Sequence, residues 1–240
     1  MHENHDFKVI YEDDVIIVVD KPSGILVIPD FKKQHPTLTD LLNKELIQQG
    51  KRIRAHPCHR IDRETSGLVI FSKGKNNQKI IMQQFKEHKV KKRYIAFVQG
   101  RLDKKGATIK GYISSSFKHS NRNFRKRPKL AITEYKVLKA GENFSVVEVW
   151  PITGRTNQIR IQFKQLGHPL LGERKYAFGK DFKLKFKRLA LHASNIEFFH
   201  PTTNEKIKLF SNLPKDMLDF IRLKFGALDG IDELLFKKEG

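Results

Sequence analysis

The sequence predicts an α+β fold, a single domain built on a mainly antiparallel mixed sheet flanked by helices. Three observations point there. Segments of strand character outnumber helical ones and are punctuated by Gly and Pro. Helical periodicity is confined to four separated stretches. No repeat, low-complexity tract or linker divides the 240 residues, which suffice for a full core. The domain is expected to span 1–225, and 226–240 reads as a tail without an anchor.

The first strands are expected at Lys8–Tyr11, Val15–Val19 and Ile25–Ile28, with Pro22, Gly24 and Pro29 breaking the chain around them. A helix follows from Thr37, with Asp40 three residues on as its capping partner. Leu41, Leu42, Leu46 and Ile47 form its apolar side, and Gly50 ends it. Leu68–Phe71 is an apolar strand. Lys79–His88 reads as a helix with Ile80, Ile81, Gln84 and Phe85 along one face, and Val90–Val98 alternates as a strand. Strands at Ala131–Leu138 and Phe144–Trp150 precede a short helix from about Thr156 to Leu166. Its residues Ile159, Phe163 and Leu166 bury one side, and Gly167 suits the position after it. Strands at Leu189–His192, Ile196–Phe199 and Ile207–Phe210 lead to a last helix over Pro214–Phe225.

Lys and Arg number 47 against 26 Asp and Glu, a formal charge of +21. Solubility alone needs a net charge of only about 2–8. A surplus this large points to a polyanion, because each phosphate neutralised releases counterions. Cys58 is the only cysteine, which excludes a disulfide framework and a Cys-rich zinc site and leaves packing as its role. No apolar run reaches the length of a membrane span and no signal peptide opens the chain, so a cytoplasmic protein is expected.

The cations are unevenly placed. Phe117–Lys129 carries Lys118, Arg122, Arg125, Lys126, Arg127 and Lys129 with no acid, and Phe117 and Phe124 are interleaved. Arg174–Arg188 is similar. Within it Phe182, Leu184 and Phe186 alternate with Lys183, Lys185 and Lys187, which suggests a strand or ribbon with one charged face. Either run alone reads as a solvated loop; two runs beside motifs that carry chemistry favour RNA-contacting arms.

Those motifs centre on His59-Arg60-Ile61-Asp62-Arg63-Glu64-Thr65-Ser66-Gly67, which sets one carboxylate, Asp62, ahead of a Thr-Ser-Gly turn into a strand. The stretch resembles the catalytic signature of the RluA-type pseudouridine synthases, His-Arg-(Leu/Ile)-Asp-x-x-Thr-Ser-Gly. Six further segments match, in the family's order. Val18-Val19-Asp20-Lys21-Pro22-Ser23-Gly24 is similar to the family's first motif. Lys92-Arg93-Tyr94-Ile95-Ala96-Phe97-Val98-Gln99-Gly100 matches its Lys-x-Tyr-x-Ala-x-Val-x-Gly strand. Gly154-Arg155-Thr156-Asn157-Gln158-Ile159-Arg160 is followed by Gly167-His168-Pro169-Leu170-Leu171-Gly172. Leu191-His192-Ala193 and His200-Pro201 resemble the closing elements. Two positions depart from the pattern: Asn157 stands where the family usually has His, and Glu173 where it usually has Asp. Both bear on local hydrogen bonding rather than on reaction type.

The resemblance implies the pseudouridine synthase catalytic fold and an isomerase that needs no cofactor. It must break the N1–C1′ bond of uridine, turn the uracil and rejoin it through C5. Asp62 is the motif's catalytic carboxylate, acting either on C1′ or on the 2′ proton. Family resemblance gives Arg160 as the cation that keeps it ionised, since desolvation would otherwise raise its pKa; the competing reading is that Arg160 faces water. Tyr94 either stacks on the uracil and assists proton loss from C5, or is a core residue. Leu191 closes the apolar wall, and Arg60 fills the gap left by the extruded base. Glu64 falls at a variable position and is expected to face solvent. His59 is expected to brace the loop by a hydrogen bond. His168 and His192 are expected to be structural, with no metal site.

The resemblance implies a compact member without the N-terminal RNA-binding domain of many relatives, since Lys-Pro-Ser-Gly begins by residue 21. The expected partner is a structured stem-loop of rRNA or tRNA, with Lys118, Arg122, Arg125, Lys126 and Arg127 among the contacts. A monomer with no obligatory protein partner is expected. Two other readings stay open at this point: a glycosidase releasing uracil from RNA, and a catalytically silent RNA-binding or ribosome-assembly protein on the same scaffold.

Overall fold

The computed structural model describes residues 7–30, 32, 35–114, 116–119, 122–125, 127–177 and 184–226. The chain gathers into two compact units, Met1–Lys92 with Leu191–Gly240, and Arg93–Ala190.

In the first unit, strands β1 (Lys8–Glu12) and β2 (Ile16–Lys21) form an antiparallel pair. Helix α1 (Leu38–Gln48) follows. Thr37 caps it as expected, its hydroxyl accepting from the Asp40 amide while the Asp40 carboxylate accepts from the Thr37 amide. Leu38, Leu42 and Leu46 are its buried stripe, and Ile47 is exposed, so the apolar face is one residue narrower than the periodicity suggests. Strand β3 (Ala55–Pro57) and strand β4 (Ser66–Lys73) pair antiparallel. Helix α2 (Lys75–Lys86) buries Ile81 and Gln84 and leaves Ile80 exposed.

The unit closes with strands β11 (Leu191–Phe199) and β12 (Lys206–Phe210), then helix α4 (Lys215–Phe225). Strand β4 is central: β2 pairs antiparallel along one edge, and β11 pairs parallel at Ser66 and Gly67 on the other. Ile16, Val18, Leu68, Ile70, Ile81, Ile196 and Phe198 form one buried cluster with Cys58. Each such side chain contributes about 1.5–3 kcal/mol on burial.

The second unit holds β5 (Lys91–Gln99), β6 (Gly106–Ile113), β9 (Lys129–Ala140) and β10 (Phe144–Pro151) in the antiparallel order β5-β10-β9-β6. Between β6 and β9 the backbone forms a separate hairpin, β7 (Ser116–His119) with β8 (Arg122–Arg125). Helix α3 (Gln158–Gln165) lies against β6 and β10. The α+β class with a mainly antiparallel sheet is therefore what the chain adopts, with β4–β11 the parallel pair within the first unit.

Several local expectations are corrected. Ile25, Leu26 and Val27 are buried and Ile28 half-buried, but the segment is not a strand, because the Leu26 and Val27 carbonyls accept from the Leu38 and Thr39 amides at the start of α1 instead of a ladder. The two strands expected at 189–192 and 196–199 are one, β11. Leu166 is exposed, and only Ile159 and Phe163 bury that side of α3. Within the alternating tract, Leu184–Arg188 is irregular rather than a strand. Leu184 and Phe186 are nonetheless half-buried while Lys185 and Lys187 are exposed, so the two-sidedness is real without a ladder. Phe182, Lys183 and the 227–240 part of the tail lie outside the described residues.

Candidate active site

The segment carrying Asp62 is shaped by what it does to the edge of β4. Strand β3 covers Phe71–Lys73 on that edge, and β11 covers Ser66–Gly67. Between them the Cys58 amide donates to the Ile70 carbonyl at 2.9 Å. The Ile70 amide in turn donates to His59 Nε2 at 3.0 Å. An imidazole nitrogen that accepts must be unprotonated, and burial with the nearby Lys92 charge lowers the His59 pKa to about 3. His59, packed on Phe85 at 4.6 Å between ring centroids, is thus a neutral brace, the structural role expected of it.

Past His59 the chain swings away and returns as β4. Ile61 and Thr65 are buried, Asp62, Arg63 and Glu64 are half-buried, and Arg60 is exposed. Glu64, expected to face solvent, is partly exposed. The Thr65 amide closes the turn onto the Asp62 carbonyl at 3.2 Å. The Lys21-Pro22-Ser23-Gly24 turn grips the next two carbonyls. Arg63 O accepts from Lys21 Nζ at 3.0 Å and from the Gly24 amide at 2.8 Å. Glu64 O accepts from Ser23 Oγ at 2.6 Å. Lys21 is fully buried, and its ammonium also donates to the carbonyls of Pro22 and Ile25. A charge in such a place is held by directed hydrogen bonds, since burying it unsatisfied would be prohibitive. The first motif and the Asp62 motif are thus one construction, which sequence order alone did not reveal.

Gly67 follows at φ +115°, and a Cβ there would lie 2.3 Å from the Ala193 carbonyl oxygen. Only glycine lets β11 run this close, and that approach sets Leu191 and His192 beside the start of β4. Leu191 is buried at the head of β11. His192 Nδ1 lies 3.0 Å from Ser66 Oγ, its Nε2 lies 3.2 Å from the Ser211 carbonyl, and Ser211 Oγ donates to Asp20 at 2.7 Å. The fully buried imidazole ties three strand ends together, a structural use.

In the second unit Tyr94 sits half-buried on β5, opposite Val149 of β10. Arg160 lies in the first turn of α3, behind Gln158, whose side-chain amide fixes the approach to the helix. Its oxygen accepts from Thr153 Oγ1 and the Arg155 amide, and its nitrogen donates to Ile132 O and Thr133 Oγ1. Arg160 is 5 % exposed, which rules out the reading in which it faces water. Its Nε and Nη2 donate to Glu173 Oε2 and Oε1 at 2.7 and 2.8 Å, the bidentate geometry that suits a guanidinium. Its Nη1 donates to Asn157 Oδ1 at 3.1 Å, and Asn157 Nδ2 donates to the Tyr176 hydroxyl at 2.7 Å.

Burial alone would raise the Glu173 pKa. The hydrogen bonds and charge of Arg160, with the Lys175 and Tyr176 amides, outweigh it and hold the carboxyl below its usual value. Both departures from the family pattern, Asn157 and Glu173, therefore touch Arg160. Sequence reasoning missed Glu173 as its partner, although a lone acid after Gly172 was the available signal. Gly172 needs φ +73°, with a Cβ there 1.7 Å from Arg188 O, and so lets the chain turn Glu173 inward.

Of the residues expected to carry the site, the first unit holds Arg60, Asp62 and Leu191, and the second holds Tyr94 and Arg160. Lys118, Arg122 and Arg125 fall on the β7–β8 hairpin, Arg127 is exposed just before β9, and Lys126 lies outside the described residues. Among the described residues no helix is long and apolar enough to cross a membrane.

The family model described as RNA pseudouridylate synthase matches residues 15–165. The chain is 34 % identical over 227 residues to the uncharacterized RNA pseudouridine synthase YhcT of Bacillus subtilis, covering 93 % of this chain and 74 % of that one. It is also 34 % identical over 232 residues to ribosomal large subunit pseudouridine synthase D of Buchnera aphidicola, covering 92 % and 73 %. The solved structure titled Human RNA Pseudouridylate Synthase Domain Containing 4 superposes with a TM-score of 0.74 at 23 % identity, over 90 % of this chain and 92 % of that one, a likeness of fold. The chain accordingly belongs to the RNA pseudouridylate synthase family, on its RluA-type side, and is an isomerase converting uridine to pseudouridine in RNA.

Proposed function

We propose that the protein isomerises specific uridines in structured RNA, ribosomal or transfer, with Asp62 as the catalytic carboxylate. The observation that carries this is the bracing of the Asp62 turn. The carbonyls of Asp62, Arg63 and Glu64 are each engaged, by Thr65, by Lys21 with Gly24, and by Ser23. A loop fixed through its backbone presents a side chain in one orientation, which catalysis by position requires.

In this reading Asp62 acts at the ribose, on C1′ or on the 2′ proton. The N1–C1′ bond breaks, the uracil turns, and C5–C1′ forms. The C5 proton then leaves and N1 is protonated, so composition is unchanged. Tyr94 stacks on the detached base and assists loss of the C5 proton, and Leu191 supplies apolar wall. Arg160 is the cation that keeps Asp62 ionised. A guanidinium has five N–H donors, enough to serve a second carboxylate besides Glu173. Arg60, exposed ahead of the turn, stacks into the space left by the flipped nucleotide. Lys118, Arg122, Arg125, Lys126 and Arg127 hold phosphates. Ribosomal RNA as substrate is supported by the name of the Buchnera relative, a ribosomal large subunit pseudouridine synthase.

The test is product analysis. RNA taken from cells lacking the protein is incubated with the purified enzyme and digested to nucleosides. Pseudouridine retained in the chain at discrete positions is the expected result. Free uracil, or no new nucleoside, would contradict it.

A further inference from the structure

At β6 and β9 one face of the second unit's sheet is covered and the other is not. On β6 and β9 the buried side chains are Ile109, Ile113, Ala131, Thr133 and Tyr135, on the side where α3 lies. Gln162 of that helix donates to the Ile109 and Ala131 carbonyls at 3.1 Å each, and Phe163 packs on Tyr135 at 5.4 Å. Side chains alternate across a strand, so the neighbours of these residues point the other way.

There Tyr112 stands directly opposite Leu130 in the register, followed by Lys110 opposite Ile132. Tyr112 is 69 % exposed and Leu130 41 %. Ile152, 44 % exposed, is drawn alongside by its amide bond to the Ile132 carbonyl at 3.0 Å. Arg155 reaches the same place, its Nε donating to Leu130 O at 3.0 Å. Lys110 and Lys136 share this face and are exposed, as is Arg127 just before β9, and Glu134 is the lone acid in 106–113 and 127–136. The basic hairpin β7–β8 springs from this end of the two strands.

An aromatic ring lying open among cations suits a flat, anionic partner. An unpaired nucleotide offers both, a base to stack and phosphates to pair, whereas a duplex shields its base faces. Resting on the RNA-modifying reading above, we propose that the Tyr112–Leu130 face is a stacking platform for an unpaired base of the RNA substrate, with Lys110 and Arg127 taking the adjoining phosphates.

The experiment compares binding of two labelled probes, a short RNA hairpin with a uridine-containing loop and a fully paired RNA duplex. The proteins are wild type, Tyr112→Ala, Tyr112→Phe and Leu130→Ala. Loss of one stacked base should weaken hairpin binding of Tyr112→Ala by about 5- to 150-fold, the range measured for such contacts. Leu130→Ala should lose less, Tyr112→Phe should keep wild-type affinity, and no variant should change duplex binding. Hairpin affinity unchanged in Tyr112→Ala would overturn the proposal. So would an equal loss on hairpin and duplex, which would mean a phosphate contact, a docked protein or a disturbed fold. Pseudouridine formation by wild type, assayed separately on RNA from cells lacking the protein, keeps the two readings apart. Its absence would sink the enzyme reading and leave the binding comparison intact. Conversion by wild type with an indifferent Tyr112 would sink the platform alone.

Discussion

Glu173→Gln is the substitution whose cost can be worked most fully from the structure. The carboxylate makes both bonds of a bidentate pair with Arg160, and the two groups are 2 % and 5 % exposed. Neutralising Glu173 strips the buried guanidinium of this counter-charge, which costs about 3–5 kcal/mol. That is a large part of the roughly 5–15 kcal/mol that holds a domain folded. Trp150, the chain's one tryptophan, lies on β10 of the same unit, so its fluorescence in a urea titration reports the relevant unfolding.

The pH dependence follows from the sign of the shift. Glu173 titrates below its usual 4.5 in the folded state. Its stabilisation is therefore complete above 4.5 and is lost as the pH falls through the lowered folded value. Wild type and Glu173→Gln should differ most near neutrality and converge in strong acid. Replacing both, as Arg160→Met with Glu173→Leu, should restore much of the stability, because neither charge of this pair is then buried without the other. A Glu173→Gln protein within about 1 kcal/mol of wild type at neutral pH would refute the reasoning, since surface pairs are worth that little.

Gly67→Ala should destabilise the first unit by about 3 kcal/mol or more, since both φ and the Ala193 backbone oppose a Cβ. Gly50→Ala, at φ +73° with open space around it, should cost only about 1 kcal/mol; equal melting losses for the two would count against the close-approach argument. The Cys58 thiol, pushed up to about 12 by burial, should resist thiol reagents in the native protein and react on unfolding. Rapid native labelling would mean the β3–β4 edge opens readily. Changing Arg122, Arg125, Lys126 and Arg127 together to Ala should weaken RNA binding and flatten its salt dependence, while single-turnover rates at saturating RNA fall far less. A salt titration that overlays wild type would return that tract to a solvated loop.

Periodicity and capping made α1 legible to within a residue, because Thr37 and Asp40 announce its start. Strand β6 was not legible: Gly106 and Gly111 weaken any local preference, and its order comes from pairing with β9. Ile25–Ile28 misled for the converse reason, an apolar run whose carbonyls are taken by a helix start rather than a neighbouring strand. At the site, motif order located Asp62, Tyr94 and Arg160 by number, since each stands in a spaced pattern of fixed residues. It could not disclose that Lys21 holds the Arg63 carbonyl, forty-two positions away in the chain, or that Glu173 holds Arg160. Those are tertiary contacts between segments that read separately as turns.

The central claim is that Asp62 does the chemistry, and release of tritium from RNA labelled at uridine C5 tests it most directly. Asp62→Asn keeps the shape of the braced turn and removes only the charge. It should bind RNA with nearly wild-type affinity, because phosphate contacts supply most of the binding, and should release no tritium above background. Turnover within about tenfold of wild type, equivalent to only some 1.4 kcal/mol of barrier, would contradict the account and remove Asp62 as the catalytic carboxylate.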